Sequence, residues 1–550
     1  MRIAITGIGI VSALGIGAEA NKRELLAGVS HLQAAHILPT SHHEWPMGEV
    51  PYTNAQLAEL AGQSTDAALS RNVLLGLIAL RETLADSGIS EEDLGSIPLV
   101  NGTTVGGMDI TEQHYAEWRH GQWDTIEQLY QHEADMTSAM LAHCYGLQDS
   151  LTVSTACSSA LNALIHGAGI LRIGAAKRVV VGGTEALTRF HVNGFAALGI
   201  LSQHTCRPFQ EDRDGINLGE GAAYLMLEDA DEAERRGVHI YGYLAGYANR
   251  CDAYHQTASS PDGDGAYDAM MHAIDMAGIT PSRIPYVNAH GTATPNNDAS
   301  EWRAIERVFG NTMPCVESTK PLTGHTTSAS GSIEAVFTLF RMEQRHYPYA
   351  VCNAFGFGGN DSSIVLAQEP VALPELPSDP DVQITETVES DGTLDYKPYI
   401  PLMQARRMTP MLRQLIVVAS EALREAGVRC PDAIIVGTQW GGMIPTVHLL
   451  EQLTTAGEHD FSPAQFMSST HNAAAGTLAR HFGAKGYNTT IVGAEPMANA
   501  QADAVLLLAT GEAKTVLCCA FDEVDERWQS LLEHIHYPAK NVAQACVLYV

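Results

Sequence analysis

Three segments carry side chains able to do covalent chemistry. Cys157 stands in Val153-Ser154-Thr155-Ala156-Cys157-Ser158-Ser159-Ala160, His290 opens His290-Gly291-Thr292, and Lys320-Pro321-Leu322-Thr323-Gly324-His325 places a lysine and a second histidine together. A free thiol, with a pKa near ~8.5, is mostly protonated at neutral pH. A helix N-terminus offers unpaired N–H groups and partial positive charge that favour the thiolate. Cys157 meets that condition if a strand ends at Ser154 or Thr155 and Ser158 opens a helix. Taken alone, a buried cysteine is usually inert packing and a loop histidine usually structural. Two histidines flanked by threonine and glycine, in one chain with such a cysteine, point to carbon–carbon bond formation on a thioester, with imidazoles stabilising the oxyanions that form.

The elements that must position these groups are legible as short apolar runs alternating with helical spacing, which argues for layered α/β architecture. Residues 99–101, 151–154, 179–181, 223–227 and 363–366 read as buried strands, and 72–86 and 158–172 as helices. His290 follows an apolar run at 284–287 and sits in a strand-end loop, while His325 leads into a small-residue helix that contains Glu334. The first ten residues hold Gly7-x-Gly9, but Ser12 stands where a dinucleotide loop needs its third glycine, so they read as a buried strand and its turn.

With 550 residues and 45% apolar content the chain exceeds one ordinary domain. Its net charge of -31 argues against nucleic acid or an anionic membrane surface as partner. An acidic partner needs a local basic patch, for which Arg172, Lys177, Arg178, Arg207 and Arg213 are candidates. Ten cysteines without a CxxC pair indicate reduced, cytoplasmic usage and no metal site, and no apolar run reaches the ~20 residues of a membrane span.

Residues 369–380 hold four prolines in twelve positions and read as a linker. Beyond it, from 381 to 550, the first half's landmarks recur. Met108, at the end of Asn101-Gly102-Thr103-Thr104-Val105-Gly106-Gly107, returns 335 positions on as Met443; Thr152 and Glu185 return 338 positions on as Thr490 and Glu523. By that spacing Cys157 falls on Glu495, and the copy ends at Val550 before any counterpart of His290. One copy is armed and the other is not.

Residues 1–368 resemble a β-ketoacyl-[acyl-carrier-protein] synthase of the condensing-enzyme branch of the thiolase superfamily. The motifs that carry the resemblance are Thr155-Ala156-Cys157-Ser158-Ser159-Ala160, Arg207-Pro208-Phe209, Arg213-Asp214-Gly215, Gly219-Glu220-Gly221-Ala222, His290-Gly291-Thr292 with Thr294, Asp298 and Glu301, Lys320 with Gly324-His325, and Gly356-Phe357-Gly358-Gly359. The resemblance implies a five-layered α/β/α/β/α fold, with an N-terminal half at about 1–228 and a C-terminal half at about 229–368. Residues 381–550 resemble the N-terminal half of the same family. The implied activity is decarboxylative Claisen condensation of an acyl thioester with malonyl-carrier, in fatty acid, aryl-polyene or type II polyketide synthesis. Cys157 would take the acyl group in an oxyanion hole made by the N–H groups of Cys157 and Phe357, and His290 and His325 would stabilise the enolate. Lys320 would orient His325 and Glu301. Thr292, Thr294, Glu301 and Val105 would bind substrate, with no cofactor and an acyl carrier protein as partner. Family members dimerise through their N-terminal halves, so the copy is expected to serve as a built-in pseudo-partner. A thiolase would need a second catalytic cysteine, for which Cys352 is the nearest candidate, and a wholly inactive chain-length factor or scaffold is the remaining alternative. Ser328, Asn360-Asp361 and the short bridge at 342–350 depart from the family pattern and bear on the acyl pocket.

Overall fold

The computed structural model describes every residue except 378, 379 and 538, so part of the expected linker lies outside the described residues. The first half-domain builds β1 (Ile3–Ser12), β2 (Leu99–Gly102), β3 (Ser150–Val153), β4 (Arg178–Glu185) and β5 (Gly221–Asp229) into a sheet of order β3-β2-β4-β5-β1. β6 (Gly242–Cys251), β7 (Tyr286–Asn288), β8 (Cys315–Glu317), β9 (Tyr349–Gly356) and β10 (Asn360–Ala367) repeat that order as β8-β7-β9-β10-β6. β1 also pairs β6, joining the two sheets at their edges. Apart from β8 and the start of β3, the strands are buried on both faces, which is why they read as unbroken apolar runs rather than as alternating ones.

Helices Ser159–Arg172 and Ser330–Arg345 pack against each other between the sheets, and Arg71–Asp86 and Asp264–Met276 cover the outer faces. The result is the thiolase-like α/β/α/β/α layering. Gly9 belongs to this packing and to no nucleotide loop: a Cβ there would lie 2.0 Å from the carbonyl oxygen of Ala79, on the helix that crosses β1.

The copy forms β11 (Ala433–Gly442), β12 (Tyr487–Val492), β13 (Thr515–Glu523) and β14 (Val542–Tyr549) in the order β12-β11-β13-β14. Two-residue strands at Gln383–Ile384 and Val388–Glu389 pair with β14 where the first copy has β1. The two copies meet by antiparallel pairing of β3 with β12, in the register Val153 to Ile491 and Thr152 to Val492. Ile491 is the counterpart of Val153 by the 338-residue spacing, so each faces its own equivalent and a pseudo-twofold axis passes between them. Behind this seam helix Pro496–Thr510 packs on Ser159–Arg172, with Leu506 against Gly169, and one apolar core runs through both copies.

The strand registers correct the sequence alignment in two places. Asp522, not Glu523, is the counterpart of Glu185: each accepts from the matching threonine, Thr438 Oγ1 to Asp522 at 2.7 Å and Thr103 Oγ1 to Glu185 at 3.0 Å. The spacing is therefore 338 at β12 and 337 from helix Pro496–Thr510 onward, since Gly437 abuts Pro496 as Gly102 abuts Ser159. One residue is missing from the intervening turn, and the position of Cys157 falls on Ala494-Glu495 rather than on Glu495 alone. Among the described residues no helix is long and apolar enough to cross a membrane.

Candidate active site

β3 ends at Val153, and the chain turns through Ala156 at φ 55° into a single 3-10 turn, Ala156–Ser158, before helix Ser159–Arg172 begins. That left-handed residue re-aims the chain and leaves Cys157 at the helix head. No residue from 493 to 495 in the copy has positive φ, so its shorter turn makes no such elbow. Buried hydroxyls and amides hold the elbow. Ser158 Oγ donates to Asn360 Oδ1 at 2.7 Å, Asn162 Nδ2 donates to the same atom at 2.8 Å, and Asn360 Nδ2 donates to the carbonyl of Asn488 in the copy. Asn360 thus ties the turn at Cys157 to the second copy. Ser328, another departure from the family pattern, donates its hydroxyl to Glu185 beneath Thr103 and Thr104.

Cys157 Sγ and one ring nitrogen from each of His290 and His325 lie within 4.8 Å of one another. The imidazoles are edge to face, centroids 5.2 Å apart. Their tautomers follow from their partners. The backbone N–H of Thr327 donates to His325 Nδ1 at 3.1 Å, which fixes that nitrogen as acceptor and leaves the proton on Nε2. His290 Nδ1 faces Lys320 Nζ at 3.5 Å and is likewise an acceptor. Burial, reinforced by Lys320, holds both histidines well below their ordinary pKa, so each is a neutral ring presenting Nε2–H. A thiol with two imidazoles can also bind a soft metal, but the buried ammonium beside His290 opposes a second cation there.

Lys320 differs from expectation in both partners, facing His290 where His325 is expected and pairing with a different acid. It is fully buried and pairs with Glu334 Oε1 at 2.5 Å. Glu301 is directed elsewhere: its carboxylate accepts the backbone N–H groups of His290 and Gly291, both at 2.8 Å, and so shapes the histidine loop without reaching the cavity. Burial pushes Glu301 up to about 7. The thiol also departs from the expectation of a helix-activated anion. Burial pushes Cys157 up to about 12, against the downward pull of Lys320 and of the Phe357 backbone N–H. Cys352 lies fully buried on β9, away from both cavities described next.

Two cavities meet at Cys157. One, of about 330 Å³, is lined by His290, His325, Thr292, Thr294 and Phe357, with the two threonine hydroxyls 2.8 Å apart. The other, of about 70 Å³, runs past Val105 and Phe195 and is closed by Trp440, Met443, Phe466 and His471 of the copy. His471 Nδ1 lies 3.0 Å from Ser154 Oγ, and burial lowers its pKa to about 4. These copy residues were not identified from sequence. Their only signal was the repeat itself, which shows that a partner-like half exists but not which side chains cross the seam.

The basic residues singled out from sequence are mostly engaged. Arg172 is buried beside Tyr247 and Glu512, Arg178 pairs with Glu228, Arg207 with Asp212, and Arg213 lies 3.8 Å from Asp298; Lys177 is exposed. A different patch stands open. Residues 396–420 include four basic and no acidic side chains, and among the described residues Lys397, Arg406 and Arg407 are exposed without ion pairs. Leu402 and Met403 beside them are 60% and 73% exposed. Arg407 lines a cavity of about 390 Å³ that shares His255 with the wall of the 330 Å³ cavity.

Comparison with known proteins matches residues 1–233 to the β-ketoacyl synthase N-terminal domain, 241–352 to the C-terminal domain of that family, and 383–549 to the N-terminal domain again. The 3-oxoacyl-[acyl-carrier-protein] synthase 2 of Vibrio cholerae is 32% identical over 411 residues, covering 66% of this chain and 98% of the relative. The solved ishigamide ketosynthase/chain length factor is 27% identical with a TM-score of 0.61, over 67% of this chain and 99% of that one. The PfaC keto synthase–chain length factor aligns with all of this chain and 78% of its own, TM-score 0.82; at 18% identity that likeness is one of fold.

Proposed function

The chain belongs to the β-ketoacyl synthase family, and on that premise we propose that it carries out decarboxylative Claisen condensation on carrier-bound thioesters. In the first step Cys157 Sγ attacks the acyl-carrier carbonyl, the carbon–sulfur bond to the carrier breaks, and the thiol proton leaves with the departing carrier thiol. No net base is needed, which suits a thiol protonated at rest and two imidazoles that already hold their protons on Nε2. The N–H groups of Cys157 and Phe357 receive the oxyanion. Malonyl-carrier then loses carbon dioxide; the bond's electron pair forms an enolate whose oxygen is stabilised by Nε2–H of His290 and His325. The enolate carbon attacks the acyl-Cys157 carbonyl, forming the new carbon–carbon bond and returning the Cys157 thiolate, which takes up a proton. Thr292 and Thr294 contact the carrier's pantetheine arm, and the 70 Å³ cavity takes the acyl chain.

The observation that carries this reading is the convergence of Cys157 with two neutral, donor-oriented histidines backed by the buried Lys320–Glu334 pair. The copy acts as a covalent partner subunit and closes the acyl pocket; the paired strands β3 and β12 and the contribution of Trp440, Met443 and Phe466 support that role. The carrier, an acidic protein with an apolar edge, docks on Lys397, Arg406, Arg407, Leu402 and Met403, of which Arg407 lines the cavity that shares His255 with the Cys157 cavity, and charge complementarity favours it in an otherwise acidic chain. Ten unpaired cysteines support a reducing, cytoplasmic setting.

Mass spectrometry of the protein incubated with acyl-carrier tests the proposal. The wild type gains one acyl group on the peptide containing Cys157, and Cys157→Ala gains none. Equal labelling of the two would turn the reading toward an inactive scaffold.

A further inference from the structure

The loop that carries the Phe357 N–H is built from residues that swing easily. Gly358 and Gly359 have φ of 88° and 80°, a region open mainly to glycine. The peptide between Phe357 and Gly358 is nevertheless held at both ends. Its carbonyl oxygen accepts from Asn472 Nδ2 at 2.8 Å, and its N–H donates to the carbonyl of Gln256 at 2.8 Å. Both restraints trace to the second copy. Asn472 immediately precedes helix Ala473–Phe482 of that copy, and Gln256 Nε2 in turn donates to the Met467 carbonyl at 3.1 Å. The helix comes so close that a Cβ on Gly476 would lie 2.9 Å from the Gly358 carbonyl oxygen. On the near side, Gly356 is fixed by its pairing with Asn360 across β9 and β10. With the segment before Phe357 held by the sheet and the peptide after it held by Asn472 and Gln256, the direction of the Phe357 N–H is determined.

The pseudo-twofold relation shows that this arrangement is not a generic feature of the seam. The helix Ala134–Tyr145 matches Ala473–Phe482 through their C-capping glycines, Gly146 and Gly483, which puts Asp135 at the position of Asn472, and its carboxylate instead accepts from Thr152 Oγ1 at 2.9 Å. A carboxyl oxygen that accepts this bond offers no amide N–H to a carbonyl. At this position the amide donor stands on the side of the seam that faces the reactive cysteine.

We infer that Asn472 is a positioning residue for the oxyanion hole at Cys157, supplied across the seam by the otherwise unarmed copy. The inference rests on the proposed acyl transfer to Cys157, and it gives the copy a part in catalysis beyond closing the pocket. Acyl loading depends on the Phe357 N–H, whereas carbon dioxide release from malonyl-carrier depends on His290 and His325. The two rates therefore separate a positioning role from a loss of structure.

The experiment measures both rates on the full-length protein for the wild type, Asn472→Ala, Asn472→Asp and the seam control Leu506→Ala. Removing one oxyanion donor outright costs roughly 100-fold to 1000-fold, so displacing it in Asn472→Ala is expected to slow loading about 10-fold to 100-fold while decarboxylation stays within about twofold. Asn472→Asp, which keeps the shape and loses the donor, is expected to follow Asn472→Ala. Leu506→Ala should lower the unfolding temperature and leave the ratio of the two rates unchanged. Asn472→Ser replaces Asn472→Ala if the latter does not fold. Unchanged loading, or loading and decarboxylation falling in proportion, overturns the inference. A wild type that is never acylated at Cys157 overturns the functional reading instead.

Discussion

Cys157 combines two opposing influences. The helix behind it and the Phe357 N–H favour the anion, while enclosure by both copies removes the water an anion needs, and enclosure prevails: the thiol is pushed up to about 12. Attack on a thioester can proceed from such a thiol because its proton has a destination in the leaving carrier thiol, whereas attack on a simple alkylating agent offers none. Alkylation of Cys157 by iodoacetamide, followed by peptide mass spectrometry, is therefore expected to rise about tenfold per pH unit from about pH 6 to about pH 9 with no plateau. A plateau near neutral pH would mean that the helix and Lys320 outweigh burial. Much of this site is legible in residue types: cysteine, two histidines and lysine in family order identify the groups that converge. Which carboxylate meets Lys320 is not legible, because Glu301 and Glu334 both lie on helices close to the histidines and only the packing of helix Ser330–Arg345 brings Glu334 to within 2.5 Å of Nζ.

The strands and helices around the site read clearly from sequence because they are buried on both faces and glycine or proline punctuates their ends. The copy's register did not read as clearly. Gaps in turns leave strand patterns intact, so an alignment through apolar runs places a one-residue deletion anywhere between β12 and helix Pro496–Thr510; only the close approach of Gly437 to Pro496 locates it. The same limit hid the pocket's far wall. Helix Met443–Thr455 has an ordinary amphipathic sequence, yet its first residue, Met443, closes the acyl cavity of the other copy. Met443 is almost fully buried and lines the cavity of about 70 Å³, so Met443→Ala enlarges that cavity. The variant should cost about 2–5 kcal/mol of stability. It should also shift the carrier-bound products toward acyl chains longer by one or more two-carbon units, read by mass spectrometry against the wild type. Unchanged product lengths would show that the chain leaves the pocket by another route.

At the scale of the whole molecule, one polypeptide joins a β-ketoacyl synthase domain pair to a second N-terminal-type domain through a shared strand edge. The pseudo-axis between Val153 and Ile491 places β12 where a second copy of β3 would pair in a symmetric dimer, and Leu506 fills the space that Gly169 leaves on helix Ser159–Arg172. Residues 369–377, for which no helix or strand forms, are nevertheless anchored. Leu373 is buried with its N–H bonded to the Met1 carbonyl, and the Pro374 carbonyl accepts from Arg172. Ending the chain at residue 368 would remove this strap, unpair the backbone of Thr152, Val153 and Ser154, bare an apolar helix face, and release the Phe357 loop. An uncovered strand edge beside exposed apolar surface recruits another chain. The truncated protein is therefore expected to sediment as a self-paired dimer or a larger assembly, the dimer forming across β3 with Val153 opposite Val153, and to unfold at a lower temperature than the full chain. Light scattering and thermal unfolding over a concentration series check this. A truncated monomer as stable as the full-length protein would show that the second copy is appended to a self-sufficient fold rather than completing it.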